Sequence, residues 1–204
     1  MASVLLKETP FDALMKQDAN KMTVLMYACL CNVPPTELSF CDAIIEDLCN
    51  LLSRESDARK KRELFRFMNA TDEEGRSALT MAAISGRVSA IELLTKVRVE
   101  VRVEDGDTKV LDTKVLDVNV VDNCGFTPLM YAVMRGSHQA IDILKQAGAV
   151  DVPADAKGLG YSVLHVAAER GDVATLELLV RKHNSNPVVP AKGPTWPVRS
   201  AARS

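Results

Sequence analysis

Residues 122–136 read Asp-Asn-Cys-Gly-Phe-Thr-Pro-Leu-Met-Tyr-Ala-Val-Met-Arg-Gly, and the same internal spacing recurs twice in the chain. Residues 72–86 read Asp-Glu-Glu-Gly-Arg-Ser-Ala-Leu-Thr-Met-Ala-Ala-Ile-Ser-Gly, and residues 160–171 read Gly-Tyr-Ser-Val-Leu-His-Val-Ala-Ala-Glu-Arg-Gly. Each stretch is followed by a second apolar segment that contains Leu-Leu or Ile-Leu. A turn and two short helices cannot bury their apolar face alone, whereas stacked copies can. The sequence therefore predicts a mainly α-helical solenoid of helix-turn-helix units.

Each position of the repeated stretch has a physical reason. Gly125 suits a tight turn with positive φ, which glycine adopts without steric cost. Thr127 can cap the first helix, and Pro128 fits the first helical position, where its missing N–H costs nothing. Small alanines let neighbouring helices approach closely, and Gly136 can end the helix in a left-handed cap. The counterparts of these residues in the other copies are Gly75, Gly160, Ser77, Ser162, Gly86 and Gly171.

This combination of turn glycine, hydroxyl cap, core leucine, alanines and closing glycine resembles the ankyrin repeat. A fourth, degenerate copy begins at residue 18, with Lys21 in place of the turn glycine and Asn32 in place of the closing one. The resemblance implies a structural role for His165, because the family usually has a histidine at this position that bonds across turns. The resemblance implies a single ankyrin-repeat domain, followed by a Pro-rich C-terminal tail. The domain spans 1–183 with repeats near 18–52, 72–96, 122–149 and 155–183, and the tail spans 184–204.

Insertions interrupt the array. The ankyrin period is about 33 residues, yet 54 positions separate Lys21 from Gly75. One insertion lies near 33–39, where two prolines predict a loop before a second helix that begins at Ser39. Another lies near 53–68, a charged stretch with helical periodicity. It is either an extension of that second helix or the second arm of a helix-turn-helix.

A third insertion, near 97–118, predicts a β-hairpin finger. Valine alternates with charged residues before Asp105-Gly106, a typical hairpin turn, and Thr-Lys-Val-Leu-Asp occurs twice after it. A two-residue turn would pair Val101 with Val110, whereas a three-residue turn would pair Val101 with Leu111. The alternative is a duplicated loop without a fixed register.

Composition excludes several classes of function. The 204 residues are 47% hydrophobic and 4% aromatic, with a net charge of −2, so the chain neither attracts nucleic acid strongly nor offers a stacking platform for bases. No apolar run approaches the roughly 20 residues that span a bilayer. The N-terminus has too short an apolar segment for a signal peptide. We expect a cytoplasmic protein, with nuclear or cytoskeletal association left open, no membrane contact and no nucleic-acid partner.

The residues that could carry chemistry indicate neither an enzyme nor a metal centre. Cys29, Cys31, Cys41 and Cys49 lack the paired C-x2-C spacing of zinc sites, and Cys124 stands alone. The sequence has no Gly-rich phosphate loop, nucleophile elbow or His-x-x-x-His pair. We therefore expect no catalytic residue, no metal, no cofactor and no small-molecule substrate.

Two functions remain open. The first is a non-enzymatic interaction module that binds a protein partner, of unknown identity, through the concave ankyrin groove and the finger tips. The second is a structural subunit of a large assembly, such as a cytoskeletal or ciliary one, held by the insertions and the tail. Ankyrin folds serve many partners, so the fold alone does not choose between them.

The resemblance implies contact residues beside the turn glycine and at the end of the first helix of each repeat. Large apolar side chains and three arginines at these positions predict a ligand with apolar anchors flanked by acidic groups. The only tryptophan lies between prolines in the tail and is expected to pack on the last repeat or into a partner; the alternative is an unstructured end. The predicted partner-binding residues are Met22, Leu30, Cys31, Glu73, Glu74, Arg76, Ile84, Ser85, Asn123, Phe126, Met134, Arg135, Tyr161, Glu169, Arg170 and Trp196.

Overall fold

A computed structural model describes residues 11–31, 35–102, 110–114, 116–151 and 162–185. Over these residues the chain is mainly helical, and none of the helices is long and apolar enough to cross a membrane. The helices are α1 (Phe11–Leu14), α2 (Val24–Leu30), α3 (Pro35–Arg54), α4 (Ala58–Met68), α5 (Ala78–Ser85), α6 (Val88–Lys96), α7 (Pro128–Arg135), α8 (His138–Gln146), α9 (Val163–Glu169) and α10 (Val173–Glu177), which continues as a π-helical turn over Leu178–Lys182. The strands are β1 (Arg98–Arg102) and β2 (Val110–Lys114).

The helices stack in two rows. The first row is α2, α5, α7 and α9, and each of these helices contacts the next. The second row contains α3, α6 and α8, again in consecutive contact, and each packs on the first-row helix of its own repeat. The core leucine of each repeat lies between the rows: Leu25, Leu79 and Leu129 have no exposed surface, and Leu164 is buried. Truncation of such a leucine to alanine costs roughly 2–5 kcal/mol, so these side chains carry much of the stability.

The tight turns of the first three repeats share one geometry. Lys21, at φ 60°, adopts the same left-handed conformation as Gly75 at 78° and Gly125 at 87°. In each turn, the N–H of this residue donates to the carbonyl of the aspartate three positions earlier, over 3.0–3.1 Å. The degenerate first copy is therefore a complete turn. Gly160, the fourth turn glycine, lies outside the described residues.

The hydroxyl caps of the first three repeats and the three closing glycines are observed as predicted. The hydroxyls of Thr23, Ser77 and Thr127 accept from the backbone N–H three residues on. In the fourth repeat, the backbone N–H of the N-cap residue Ser162 donates to Nδ1 of His165, three residues on, over 3.1 Å. This bond gives the histidine a structural role. The closing glycines Gly86, Gly136 and Gly171 have φ of 73°, 68° and 66°, and Asn32 lies outside the described residues.

The first insertions differ from the sequence prediction at one boundary. Helix α3 begins at Pro35, four residues before the predicted start at Ser39. Proline has no N–H to satisfy and a suitable φ, so it is tolerated in the first turn of a helix. The charged stretch forms a separate helix, α4, whose N-terminus is capped by Asp57. Of the two alternatives for this stretch, the helix-turn-helix is the one observed.

Strands β1 and β2 pair antiparallel. Val101 lies opposite Leu111 and Val99 opposite Thr113, which is the register predicted for a three-residue turn. Residues 103–109, which would form that turn, lie outside the described residues, so a projecting finger remains an interpretation. The strand pair and α4 enter the array at equivalent places, each between a second-row helix and the next tight turn.

Candidate partner-binding site

One position of the first-row helices is apolar in three successive repeats and exposed in two of them. Leu30, Ile84 and Met134 each lie seven residues after the capping hydroxyl of their repeat, and Glu169 holds this position in the fourth repeat. Leu30 is 38% exposed and Met134 is 39% exposed, while Ile84 between them is half-buried. Because α2, α5 and α7 are in consecutive contact, the three side chains form a row. We call Leu30, Ile84 and Met134 the apolar row.

In two of the four repeats, the next position holds neighbouring repeats together. Ser85 Oγ donates to the carbonyl of Cys29 in the preceding repeat over 2.8 Å. Arg135 Nη1 likewise donates to the carbonyl of Ile84 over 3.1 Å, although the side chain is exposed. Two of the predicted contact residues, Ser85 and Arg135, therefore tie a repeat to its neighbour. The corresponding residues in the other repeats are Cys31, half-buried, and Arg170, exposed.

The position after the turn residue does not form one surface. Met22 is only 7% exposed and belongs to the core, so its prediction as a contact residue was wrong. Phe126 is half-buried and packs on the ring of Tyr131, with the ring centroids 5.6 Å apart. A large apolar side chain at a turn can fold back onto the core. Met22 and Phe126 both do so, and their packing stabilises the fold.

Arg76 is paired within its own turn. Its guanidinium contacts Oδ2 of Asp72, 2.6 Å from Nη2, and Oε2 of Glu74, 2.8 Å from Nη2. Burial opposes the positive charge, but the hydrogen bond and charge of Asp72 outweigh it and hold the pKa of Arg76 above its usual value. The expected ladder of free arginine donors is therefore reduced, because both Arg76 and Arg135 already have acceptors.

The turn tips are linked from repeat to repeat. Glu73 N donates to the carbonyl of Asn20 over 3.2 Å. Asn123 bonds twice to the preceding tip: its N–H donates to the carbonyl of Glu74 over 2.8 Å, and its Nδ2 donates to that of Glu73 over 2.9 Å. The exposed amide of Asn123 is thus structural, while the carboxylates of Glu73 and Glu74 lie exposed at the tip.

The role of an aspartate in each of the first three turns was missed in the sequence. Asp18 and Asp122 accept backbone N–H groups of their own turns, and each accepts a tyrosine hydroxyl nine residues on over 2.6 Å. The tyrosines are Tyr27 and Tyr131. Their pKa values are raised, that of Tyr27 mainly by its bond to Asp18 and that of Tyr131 by burial and then by its bond to Asp122. The recurrence of aspartate three residues before the turn position could have signalled this role.

A buried arginine was also missed. The guanidinium of Arg87 donates to the carbonyl of Ala28 and pairs with Asp42, so it joins the second repeat to both helices of the first. Its side chain is 6% exposed and that of Asp42 is 27% exposed. No periodic signal marks this residue, because the same position holds Val33, Ser137 and Asp172 in the other repeats.

The remaining predicted residues divide into two groups. Glu169 and Arg170 are exposed at the end of α9. Tyr161 and Trp196 lie outside the described residues. Within those residues, no group of three or more His, Cys, Asp or Glu side chains is arranged to hold a metal ion.

The fold and these contacts define a helical repeat protein whose units share one core leucine and whose first three units share one turn and one cap. Residues 101–190 match the family model described as ankyrin repeats in three copies. This part of the chain is therefore similar to ankyrin repeats, which agrees with the resemblance seen in the sequence. The first two repeats lie upstream of the matched residues, and their assignment rests on the shared turn geometry and the continuous helix rows. A comparison with curated proteins found no match.

Ankyrin repeats are generally modules for protein–protein interaction, and the family is typically non-enzymatic. A protein partner is therefore the class of ligand that the family indicates.

Proposed function

We propose that this protein binds a protein partner through the exposed face of its first-row helices. The observation that carries the proposal is the apolar row of Leu30, Ile84 and Met134. The outer two are well exposed, although nothing in the helix stack requires a large apolar side chain there. Burial of apolar surface stabilises an interface by roughly 25 cal/mol per Å². A partner that covers the row gains this energy from three adjacent repeats.

Charged side chains follow the apolar row at its α9 end, so the two ends of a bound segment would meet different surroundings. At the α9 end, Glu169 continues the row and Arg170 lies next to it, both exposed. Arg170 is the arginine of this face for which the structure shows no acceptor among the described residues. We therefore propose an apolar ligand segment with an acidic group at the end that meets Arg170, instead of acidic groups along its whole length.

The turn tips extend the same proposal. The exposed carboxylates of Glu73 and Glu74 lie at the tip between α4 and α5. We propose that the paired strands β1 and β2 are an elongated tip, a finger that enlarges the binding surface beside the apolar row. Its backbone pairing supports this proposal.

The proposal is tested by a variant that reverses the character of the row. Leu30→Glu combined with Met134→Glu places two charges where an apolar contact is proposed, and the helices tolerate glutamate well. The control is Val180→Glu, because Val180 is 41% exposed and lies outside the row. A photo-crosslinking amino acid at position 84 of the full chain, in cells, identifies proteins that touch the row.

The purified partner is then titrated against each variant. We expect the double variant to bind at least about tenfold more weakly, equivalent to 1.4 kcal/mol, and the control to bind as the wild type does. Circular dichroism must show that both variants keep the helical fold. Equal affinity of the double variant and the control would exclude the apolar row as the binding site.

The alternative function is a fixed subunit of a large assembly, held by the insertions and the tail with Trp196. One observation favours it: the insertions are joined to each other and to the stack. Asp117 N donates to Oδ1 of Asn69 over 3.1 Å, and β1 contacts α3. Co-sedimentation of the chain with a large particle, lost on deletion of 97–118 or on Trp196→Ala but kept in the row variant, would support this alternative.

A further inference from the structure

A cleft lies at the first-repeat end of the stack, away from the apolar row. It has a volume of about 360 Å³, within the range of roughly 300–1,000 Å³ that is usual for ligand sites. It opens between the segment after α1 and the inserted helix α4. Its lining residues are Met15, Lys16, Gln17, Thr23, Glu63, Arg66, Phe67 and Ala70. We call this space the end cleft.

The end cleft is locally positive. Lys16 and Arg66 are both exposed, and the structure gives neither an ion pair among the described residues. The carboxylate of Glu63 is paired with Arg59 on the same helix, over 3.3 Å. Among the described residues, the two cations of the lining therefore outnumber its one carboxylate, which already has a partner. This is a local excess of positive charge in a chain whose net charge is −2.

The interior of the end cleft is apolar. Met15 and Ala70 are half-buried against the core, and Phe67 lines the same space. Val24, which follows the lining residue Thr23 in the chain, is 36% exposed. An inorganic anion would leave this apolar lining unused, so the lining selects for a ligand with an aliphatic part.

We infer that the end cleft is a second binding site, which takes a segment of a partner protein that carries aliphatic side chains flanked by carboxylates. The aliphatic part fills the space beside Met15 and Phe67, and the carboxylates pair with Lys16 and Arg66. Charge-assisted hydrogen bonds of this kind are about twice as strong as neutral ones. Leu30 of the apolar row lies at the opposite end of α2, about 10 Å along the helix axis at 1.5 Å per residue. The two sites are thus separate.

The probe for this site is the fluorescein-labelled peptide Asp-Glu-Leu-Leu-Glu-Asp, and its control is the uncharged analogue Asn-Gln-Leu-Leu-Gln-Asn. Fluorescence anisotropy with the full chain measures both. We expect saturable binding of the acidic peptide, weakened by salt, and at least tenfold weaker binding of the analogue. Binding of the two peptides with equal affinity would overturn the proposal.

Matched variants locate the site. Lys16→Gln with Arg66→Gln removes the cleft cations. Lys60→Gln with Arg62→Gln removes the same charge from exposed residues of α4 that do not line the cleft. We expect the first pair to weaken binding of the acidic peptide by about tenfold or more and the second pair to change it by less than twofold. Equal losses in the two pairs would show non-specific attraction and would refute the site.

Two further outcomes would replace the inferred ligand by another. Displacement of the peptide by inorganic phosphate at equal concentration would show a simple anion site, and the inference would be wrong. Tighter peptide binding after deletion of residues 2–9, which include Val4-Leu5-Leu6 and Glu8, would show that this chain's own N-terminal segment occupies the end cleft. An unchanged affinity after that deletion is the result that the inference requires.

Discussion

Arg87 joins the first two repeats, and its removal gives the sharpest test of the structure. The guanidinium donates to the carbonyl of Ala28 in α2 and pairs with Asp42 in α3. The side chain of Arg87 belongs to the N-terminus of α6, so three helices meet at one buried charge. Substitution by alanine leaves a carbonyl and a carboxylate without this partner.

The expected cost follows from burial. Breaking a buried ion pair by removing one partner costs about 3–5 kcal/mol. The carboxylate of Asp42 is 27% exposed, so water replaces part of the lost interaction. We therefore expect Arg87→Ala to lower the free energy of unfolding by about 2–4 kcal/mol. Asp42→Asn keeps a hydrogen-bond acceptor beside Arg87, and we expect a smaller loss of about 1 kcal/mol.

The assay combines urea unfolding with hydrogen exchange. Stability in a repeat array is close to a sum of repeat and interface terms, so the loss should be local. We expect faster amide exchange in α2 and α3 of Arg87→Ala and unchanged exchange in α9. A double-variant cycle of Arg87→Ala and Asp42→Ala should give a coupling energy above about 1 kcal/mol.

Two results would refute this reasoning. A coupling energy near zero would mean that the two side chains do not interact in solution. Uniformly faster exchange across α2 and α9 would mean that Arg87 supports the whole fold instead of one interface. Arg87→Met serves as the packing control, because it keeps an apolar stem of similar length and removes the charge.

Three further predictions concern single positions. Burial raises the pKa of Tyr131. Above about pH 10 the folded state therefore keeps a proton that the unfolded state has lost, and the free energy of unfolding falls as the pH rises. Tyr131→Phe should make this fall less steep when it is measured by urea unfolding. Gly171→Ala should cost about 1 kcal/mol for its positive φ. Gly86→Ala should cost slightly more, because the added Cβ would lie 2.8 Å from Nε of Arg135 and this side chain would have to leave the carbonyl of Ile84. Thermal melts compare the two variants. Lys21→Gly should stabilise the chain by up to about 1 kcal/mol, since Lys21 already holds φ at 60°; an unchanged midpoint would contradict this.

The repeat architecture was predictable because its determinants are local. Thr127, Pro128 and Gly136 each fix the backbone of their own position, and the spacing between them recurs in the other copies. The first repeat followed from the same spacing, although Lys21 breaks the glycine rule. The turn tolerates this lysine because Asp18 accepts two backbone N–H groups of the turn, which holds the strained residue in place.

The contact surface was harder to predict because exposure depends on neighbours. Met22 and Phe126 hold the same position of the turn, yet the first is buried and the second only half-buried. Arg135 was predicted as a free donor, but its acceptor is the carbonyl of Ile84, 51 residues earlier in the chain. Sequence spacing shows which positions face outward in an ideal repeat. It does not show which of those side chains the adjacent repeat already uses.

Arg76 shows how such a residue can be recognised. The turn aspartates of the first and third repeats are satisfied by Tyr27 and Tyr131. In the second repeat, Met81 occupies the position of the tyrosine and cannot donate a hydrogen bond. Arg76 donates to the aspartate instead, over 2.8 Å. Arg76 therefore replaces the missing tyrosine as the hydrogen-bond donor to the turn aspartate. Its presence is better explained by this role in the turn than by contact with a ligand. Leu30, Ile84 and Met134 compensate for no such loss, and for that reason they carry the functional proposal.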